Sequence, residues 1–252
     1  MSADSEDRFA PMRREPKGPP LPRRFYKTAA VAGDGAPYAV TLDGRAVKTP
    51  LRRLLAVPYR ALAEAMAVEW QRQDEVIDPA KMPLTRLANT VLDRVMGDEA
   101  RIAAEIIQYA GSDLVCYRAE APVGLIAREA AHWDPILTWA GIKLSHPFIA
   151  VSGLIHQPQP AATLQAVADH LAARDAFALA AVHNLASLTG SALLAIAIEA
   201  GELAPDAAWA AAHVDEDWQI EHWGADDEAQ RRRQARRVEF DAAVEFMGLA
   251  RG

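Results

Sequence analysis

YAVTLDGRAVKTPLRRLLAVPYRALAEAMAVEWQRQ, Tyr38 to Gln73, changes its period partway along. In its first part, YAVTL and AVKTP flank Asp43-Gly44, a dipeptide suited to a two-residue hairpin turn because both positions tolerate positive φ. LLAVP supplies a further short strand, and RFYKTAAV upstream, closed by the turn AGDGAP, supplies another. From Pro58 onward Leu62, Met66 and Trp70 recur at i, i+4 and i+8, which is one apolar stripe of an α-helix. Strands therefore come first and helices after. This order predicts an α+β chain: a flexible arm over residues 1–23, a small β-rich N-terminal domain over 24–58, and a larger all-helical C-terminal domain over 59–252. So small a meander cannot bury both faces alone, and it is expected to pack against the helical part.

The helical part is punctuated by its prolines and acids. Pro79 and Pro83 end the first helix and start LTRLANTVLDRVM. DEARIAAEIIQYA opens on two acids, where the helix dipole favours them. GSDLVCYRAEAP reads as a connector, and VGLIAREAAHW is expected to break at Asp134-Pro135 and restart through Trp139. Phe177 to Ile198 contains no charged residue, about the length a bilayer span needs. His183, Asn184, Ser187, Thr189, Gly190 and Ser191 interrupt it, so it reads as a buried helical hairpin turning near Thr189-Gly190. A helix from Pro205 or Asp206 to Gly224 and a last one, DDEAQRRRQARRVEFDAAVEFMGL, complete the chain.

Composition narrows the function. Hydrophobic residues are 51% and charged residues 24% of 252, a globular balance with room for a sizeable core. A net charge of -7 opposes nucleic acid or an anionic membrane as the main partner, since either would be met by a basic surface. The single cysteine, Cys116, excludes an internal disulfide and CxxC zinc sites, and its apolar neighbours make it a buried, inert thiol. The first residues lack an apolar signal core, and Asp4, Glu6 and Asp7 are wrong for an acid-poor presequence. GxGxxG, P-loop, GxSxG and HExxH patterns are all missing from the sequence. RRRQARR, Arg231 to Arg237, has acids four residues away (Asp227, Glu228, Asp241), the spacing of a solvated helix laced with ion pairs.

DEDWQIEHWG, Asp215 to Gly224, is the densest chemical stretch. On one continuous helix His213, Asp217 and Glu221 fall at i, i+4 and i+8, in principle a metal face. A dimetal site expects Glu-x-x-His on each of two facing helices, and here Glu216 is followed three later by Gln219, so a solvated polar face is the expectation. Glu216 differs. It interrupts an apolar stripe of Trp209, Ala212, Ile220 and Trp223, while Ala207, Ala211, Val214 and Trp218 form a second stripe opposite. If the Trp218 stripe faces the core, Trp209, Ile220 and Trp223 surround Glu216 as an exposed protein-binding patch. If the Trp209 stripe is buried, Glu216 is a buried carboxylate needing an arginine, and a candidate for acid/base work with His213 or Asp217.

RFYK, YAVTLDGRAVKTP, EWQRQ, MPLTRLANT, SDLVCYRA, WDPILTWA and DEDWQIEHWG stand in the order of a known family. Over residues 24–224 the chain resembles the chaperones that assemble the catalytic head of ATP synthase, in the branch that handles the alpha subunit (the ATP-twelve family). The resemblance implies a β-rich N-terminal and a helical C-terminal domain, and a function without catalysis, cofactor, metal or small-molecule substrate. The implied partner is the free alpha subunit, shielded over its beta-subunit interface until assembly. The family's acid-acid-x-aromatic-Gln segment matches DEDWQ, placing its functional acid at Glu216. Asp217, Gln219, Ile220, Trp209 and Trp223 complete the expected partner-binding set. The family's Glu-Trp pair matches Glu69-Trp70, where Trp70 reads as a packing residue. With no presequence, the chain is similar to a bacterial, cytoplasmic member without a transmembrane helix.

Overall fold

The computed structural model describes residues 20–153 and 155–251, so the expected arm lies outside the described residues except for its last four positions. The sheet forms where the alternating pattern stood. Strand β1 (Ala29–Ala32) pairs antiparallel with β2 (Tyr38–Leu42), Ala29 opposite Leu42 and Ala32 opposite Ala39. The other edge of β2 takes β3 (Arg45–Ala46) at one end and β4 (Ala56–Val57) at the other. Leu42 faces Arg45 across the turn. Asp43 and Gly44 carry φ of 49° and 78°, both positive as a type I′ hairpin requires. The Asp43 carboxylate also accepts the Lys27 and Thr28 N–H groups, tying the turn to the chain before β1.

Helix α1 (Arg60–Gln71) crosses this sheet, with Leu62 and Met66 fully buried. Trp70 is half-buried and packs on Tyr26, Leu42, Ile77 and Met82. Its neighbour Glu69 reaches the next helix, α2 (Pro83–Thr90), accepting the N–H groups of Leu84 and Thr85 at 2.8 Å each. Burial pushes the Glu69 pKa up, while the two N–H groups and the Thr85 hydroxyl pull against it. One continuous core runs from Val40, Leu55 and Val57 of the sheet region into the helices.

Past a π-helical turn at Val91–Val95, α3 (Glu99–Gly111) leads to the connector. The connector contains β5 (Tyr117–Arg118), which pairs in parallel with β6 (Val151–Ser152). This pair corrects the expectation of an all-helical second part: two short extended segments meet there. Between them α4 (Val123–Lys143) is one helix with Pro135 inside, in contrast to the expected break at Asp134-Pro135. A proline costs about 3 kcal/mol inside a helix. Both sides of it are anchored, Trp133 by its Nε1 donating to the Ala211 carbonyl at 2.7 Å, Ile136 and Ala140 by burial.

After α5 (Ala161–Ala172), the charge-free stretch forms the expected hairpin: α6 (Ala176–Thr189), Gly190 at φ 72°, then α7 (Ala192–Glu199). Among the described residues no helix is long and apolar enough to cross a membrane. Cys116 is buried and its thiol is pushed up to about 12, mainly by burial. Instead of one helix to Gly224 there are two, α8 (Pro205–Ala212) and α9 (Val214–Trp223), before α10 (Asp227–Leu249) closes the fold. His213 makes the break, at φ -123° and ψ 20°. Its Nδ1–H donates to the Trp209 carbonyl at 2.7 Å, and its backbone N–H donates to the Ala210 carbonyl. Asp215, Glu216 and Asp217 then occupy the first turn of a new helix, where the dipole favours acids.

Candidate functional site

The break at His213 changes the meaning of DEDWQIEHWG, because a stripe drawn through a single helix does not survive it. Trp209 belongs to the core: it is 8% exposed, meets Phe240 edge-on at 5.2 Å and lies under the Arg237 guanidinium at 5.4 Å. Its placement on an exposed patch is corrected, although with Ile220 it lines a pocket of about 390 Å³ against α10. Of α9 itself only Val214 is buried.

Three contacts clamp α9 onto its neighbours. Trp218 lies over Gly124 of α4, so close that a Cβ there would sit 2.6 Å from the ring. Glu221 accepts two bonds from Arg128 of α4, at 2.7 and 2.8 Å. Asp217 pairs with Arg233 of α10 at 2.5 Å. The would-be metal stripe is thus divided: Asp217 and Glu221 hold opposite neighbours, and His213 is sealed beneath Trp209, ring to ring at 4.0 Å. Burial lowers the His213 pKa.

What remains on the outer side is Glu216, Gln219, Ile220 and Trp223, which line one open recess of about 230 Å³ with Asp226 and Gln230. Trp223 is 76% exposed. Glu216 is half-exposed, 3.9 Å from His213 Nε2. Four of the six expected binding residues therefore come together, Asp217 is turned toward Arg233, and Trp209 lies below. Asp215 and Gln219 also border a larger cavity toward α4, of about 790 Å³, with Glu129 and Trp133. Sequence reasoning missed Gly124, Arg128 and Glu129 as partners of this segment. Only the Ala-Arg-Glu run in an otherwise apolar helix hinted at them.

Comparison with known proteins agrees with the ordered motifs. The profile of the family described as ATP12 chaperone protein matches residues 23–141. Atp12 from Paracoccus denitrificans has a crystal structure 37% identical in sequence, with a TM-score of 0.87, covering 91% of this chain and 99% of that one. A variant of the Paracoccus protein with a single aspartate-to-lysine change gives the same TM-score of 0.87. The Atu1473 protein of Agrobacterium tumefaciens is 42% identical, again at 0.87, covering 92% of this chain and 87% of that one. The mitochondrial protein atp12 of Schizosaccharomyces pombe is 24% identical over 227 residues, 83% of this chain and 78% of that protein. The fold is shared with these proteins along nearly the whole chain. The chain belongs to the ATP12 family of chaperones, which serve ATP synthase assembly.

Proposed function

We propose that this chaperone binds the free alpha subunit of the ATP synthase head and covers the surface that the beta subunit later takes. Contact is made through the outer side of α9, with Glu216 as the charged specificity group and Ile220 and Trp223 as apolar anchors. The observation that carries this reading is Trp223, 76% exposed beside Ile220 and Glu216 on a helix held rigidly by Arg128 and Arg233. An unassembled subunit exposes a large apolar interface, and an aromatic anchor around a fixed charge suits its capture. The reading needs no catalysis, metal or nucleotide, and it places the protein in the bacterial cytoplasm.

The rival reading, an enzyme using Glu216 with His213 or Asp217, asks for a closed pocket and a free base. Asp217 is committed to Arg233, and His213 is only 4% exposed. The test is co-purification of the alpha subunit with wild type and Glu216→Lys. Loss of capture by a normally folded variant supports the site; equal capture removes Glu216 from it.

A further inference from the structure

Between the β2–β3 hairpin and the end of α1 lies a cavity of about 670 Å³ that the α9 site does not use. Tyr26, Leu42, Val47 and Trp70 form its apolar walls. The aromatic part of the wall is held in place. Tyr26 meets Trp70 edge-on at 5.8 Å, and its hydroxyl donates to the Trp70 carbonyl at 2.7 Å. Phe25 borders the same cavity, edge-on to Tyr26 at 5.4 Å, yet it is 76% exposed. A ring left in solvent beside a formed apolar recess is an anchor without a partner.

The rim is positive. Arg45 and Lys48 line the cavity, both are exposed, and neither enters an ion pair among the described residues. The acid of the lining, Asp43, is occupied: its carboxylate takes the N–H groups of Lys27 and Thr28 and the Thr28 hydroxyl. Arg24 lies over the Tyr26 ring at 4.7 Å and donates to the carbonyls of Tyr26 and Lys27, so it braces the wall instead of the rim. The asymmetry is regional. Residues 20–60 hold eight arginines and lysines against two aspartates, in a chain whose net charge is -7. An acidic protein thus carries one basic, aromatic pole, which repels a cationic ligand and attracts an anionic one.

We infer that this cavity is a second docking site, taking an aromatic side chain flanked by carboxylates on a client polypeptide. The ring packs against Trp70, Tyr26 and Phe25, where aromatic partners add to the gain from burial. The flanking carboxylates meet Arg45 and Lys48 at the solvated rim, where pairing contributes selectivity and association rate more than affinity. That the segment belongs to a client rests on the chaperone reading; the recognition chemistry of the cavity does not.

The test uses the full chain and no client. The acetylated, amidated tripeptide Glu-Phe-Asp is titrated while the indole resonance of Trp70, whose Nε1 is buried with no acceptor among the described residues, is followed. The controls are Gln-Phe-Asn, which keeps the ring and loses the charge, and inorganic polyphosphate, which keeps charge without a ring. Saturable binding of the acidic peptide alone is expected, weakened at least about tenfold by the paired changes Arg45→Glu and Lys48→Glu. Phe25→Ser should weaken it as well, and all three positions are exposed, so the variants keep the fold. Glu216→Lys should bind the peptide as wild type does, which separates this result from alpha-subunit capture. No binding, equal binding of either control, indifference to the paired charge reversal, or loss in Glu216→Lys each overturns the inference. Tighter binding after Glu6→Gln and Asp7→Asn would assign the cavity to the chain's own acids and overturn it too.

Discussion

Two helix pairs of similar length solve opposite problems in this chain. The α6–α7 hairpin turns on a left-handed glycine, and Ala192 to Ile198 are all buried. Its caps are local or borrowed: Asp175 takes Ala178 N–H, Ser191 takes Leu194 N–H, and Asp113 takes Leu193 N–H. The α8–α9 pair turns on a histidine, buries one residue of α9 and is held by ion pairs and one ring over one glycine. The first pair is stabilised by apolar burial. The second presents one acid, one amide and two apolar side chains, Glu216, Gln219, Ile220 and Trp223, at little cost to the core. On the function proposed above, stability and recognition are carried by different helices.

If that division is right, substitutions should separate along it. The largest loss of stability belongs to the hairpin: Leu194→Ala, in a fully buried position, is expected to cost about 3 kcal/mol in denaturant unfolding. Capture of the alpha subunit by the remaining folded protein should be unchanged.

Next comes pH. Burial raises the Asp113 carboxyl to about 7, well above its ordinary value of 3.8. The folded state then holds a proton that the unfolded chain has released, so this contribution is full below pH about 4 and is lost as pH rises through about 7. Unfolding midpoints at pH 5 and pH 8 should differ more in wild type than in Asp113→Asn; an equal difference refutes the assignment.

Gly124→Ala should cost about 1 kcal/mol despite alanine's better helix propensity, because the Trp218 ring must move. A change in tryptophan fluorescence with weakened client capture would show α9 displaced. Smallest in stability is Trp223→Ala, within about 0.5 kcal/mol of wild type for so exposed a side chain. Its capture of the alpha subunit should nonetheless fall at least about tenfold. A stable variant that captures normally would place the anchor elsewhere.

Legibility in the sequence divides along the same line. The Asp43-Gly44 turn, the Leu62/Met66 stripe and the Gly190 hairpin rest on neighbours within a few residues, and all three formed where the pattern put them. Pro135 misled because its helix is held from afar, through Trp133 to Ala211. His213 misled because no glycine or proline marks it, though Asp215, Glu216 and Asp217, two to four residues on, announce a helix start. Glu216, Ile220 and Trp223 could be grouped because two turns of one helix suffice. Trp209 could not, since the break rotates it away from them. Arg128 and Glu129 lie some ninety residues earlier, and only the tertiary fold brings them to α9.

The carboxylate of Glu69 carries a last consequence. It caps α2 from α1, in front of a proline that offers no N–H of its own. The first turn of α2 therefore has no cap until α1 is docked, and the two helices open and close as one cooperative unit. The amide protons of Leu84 and Thr85 should exchange with solvent at the rate of that joint opening, although both begin a helix, where fraying is the rule.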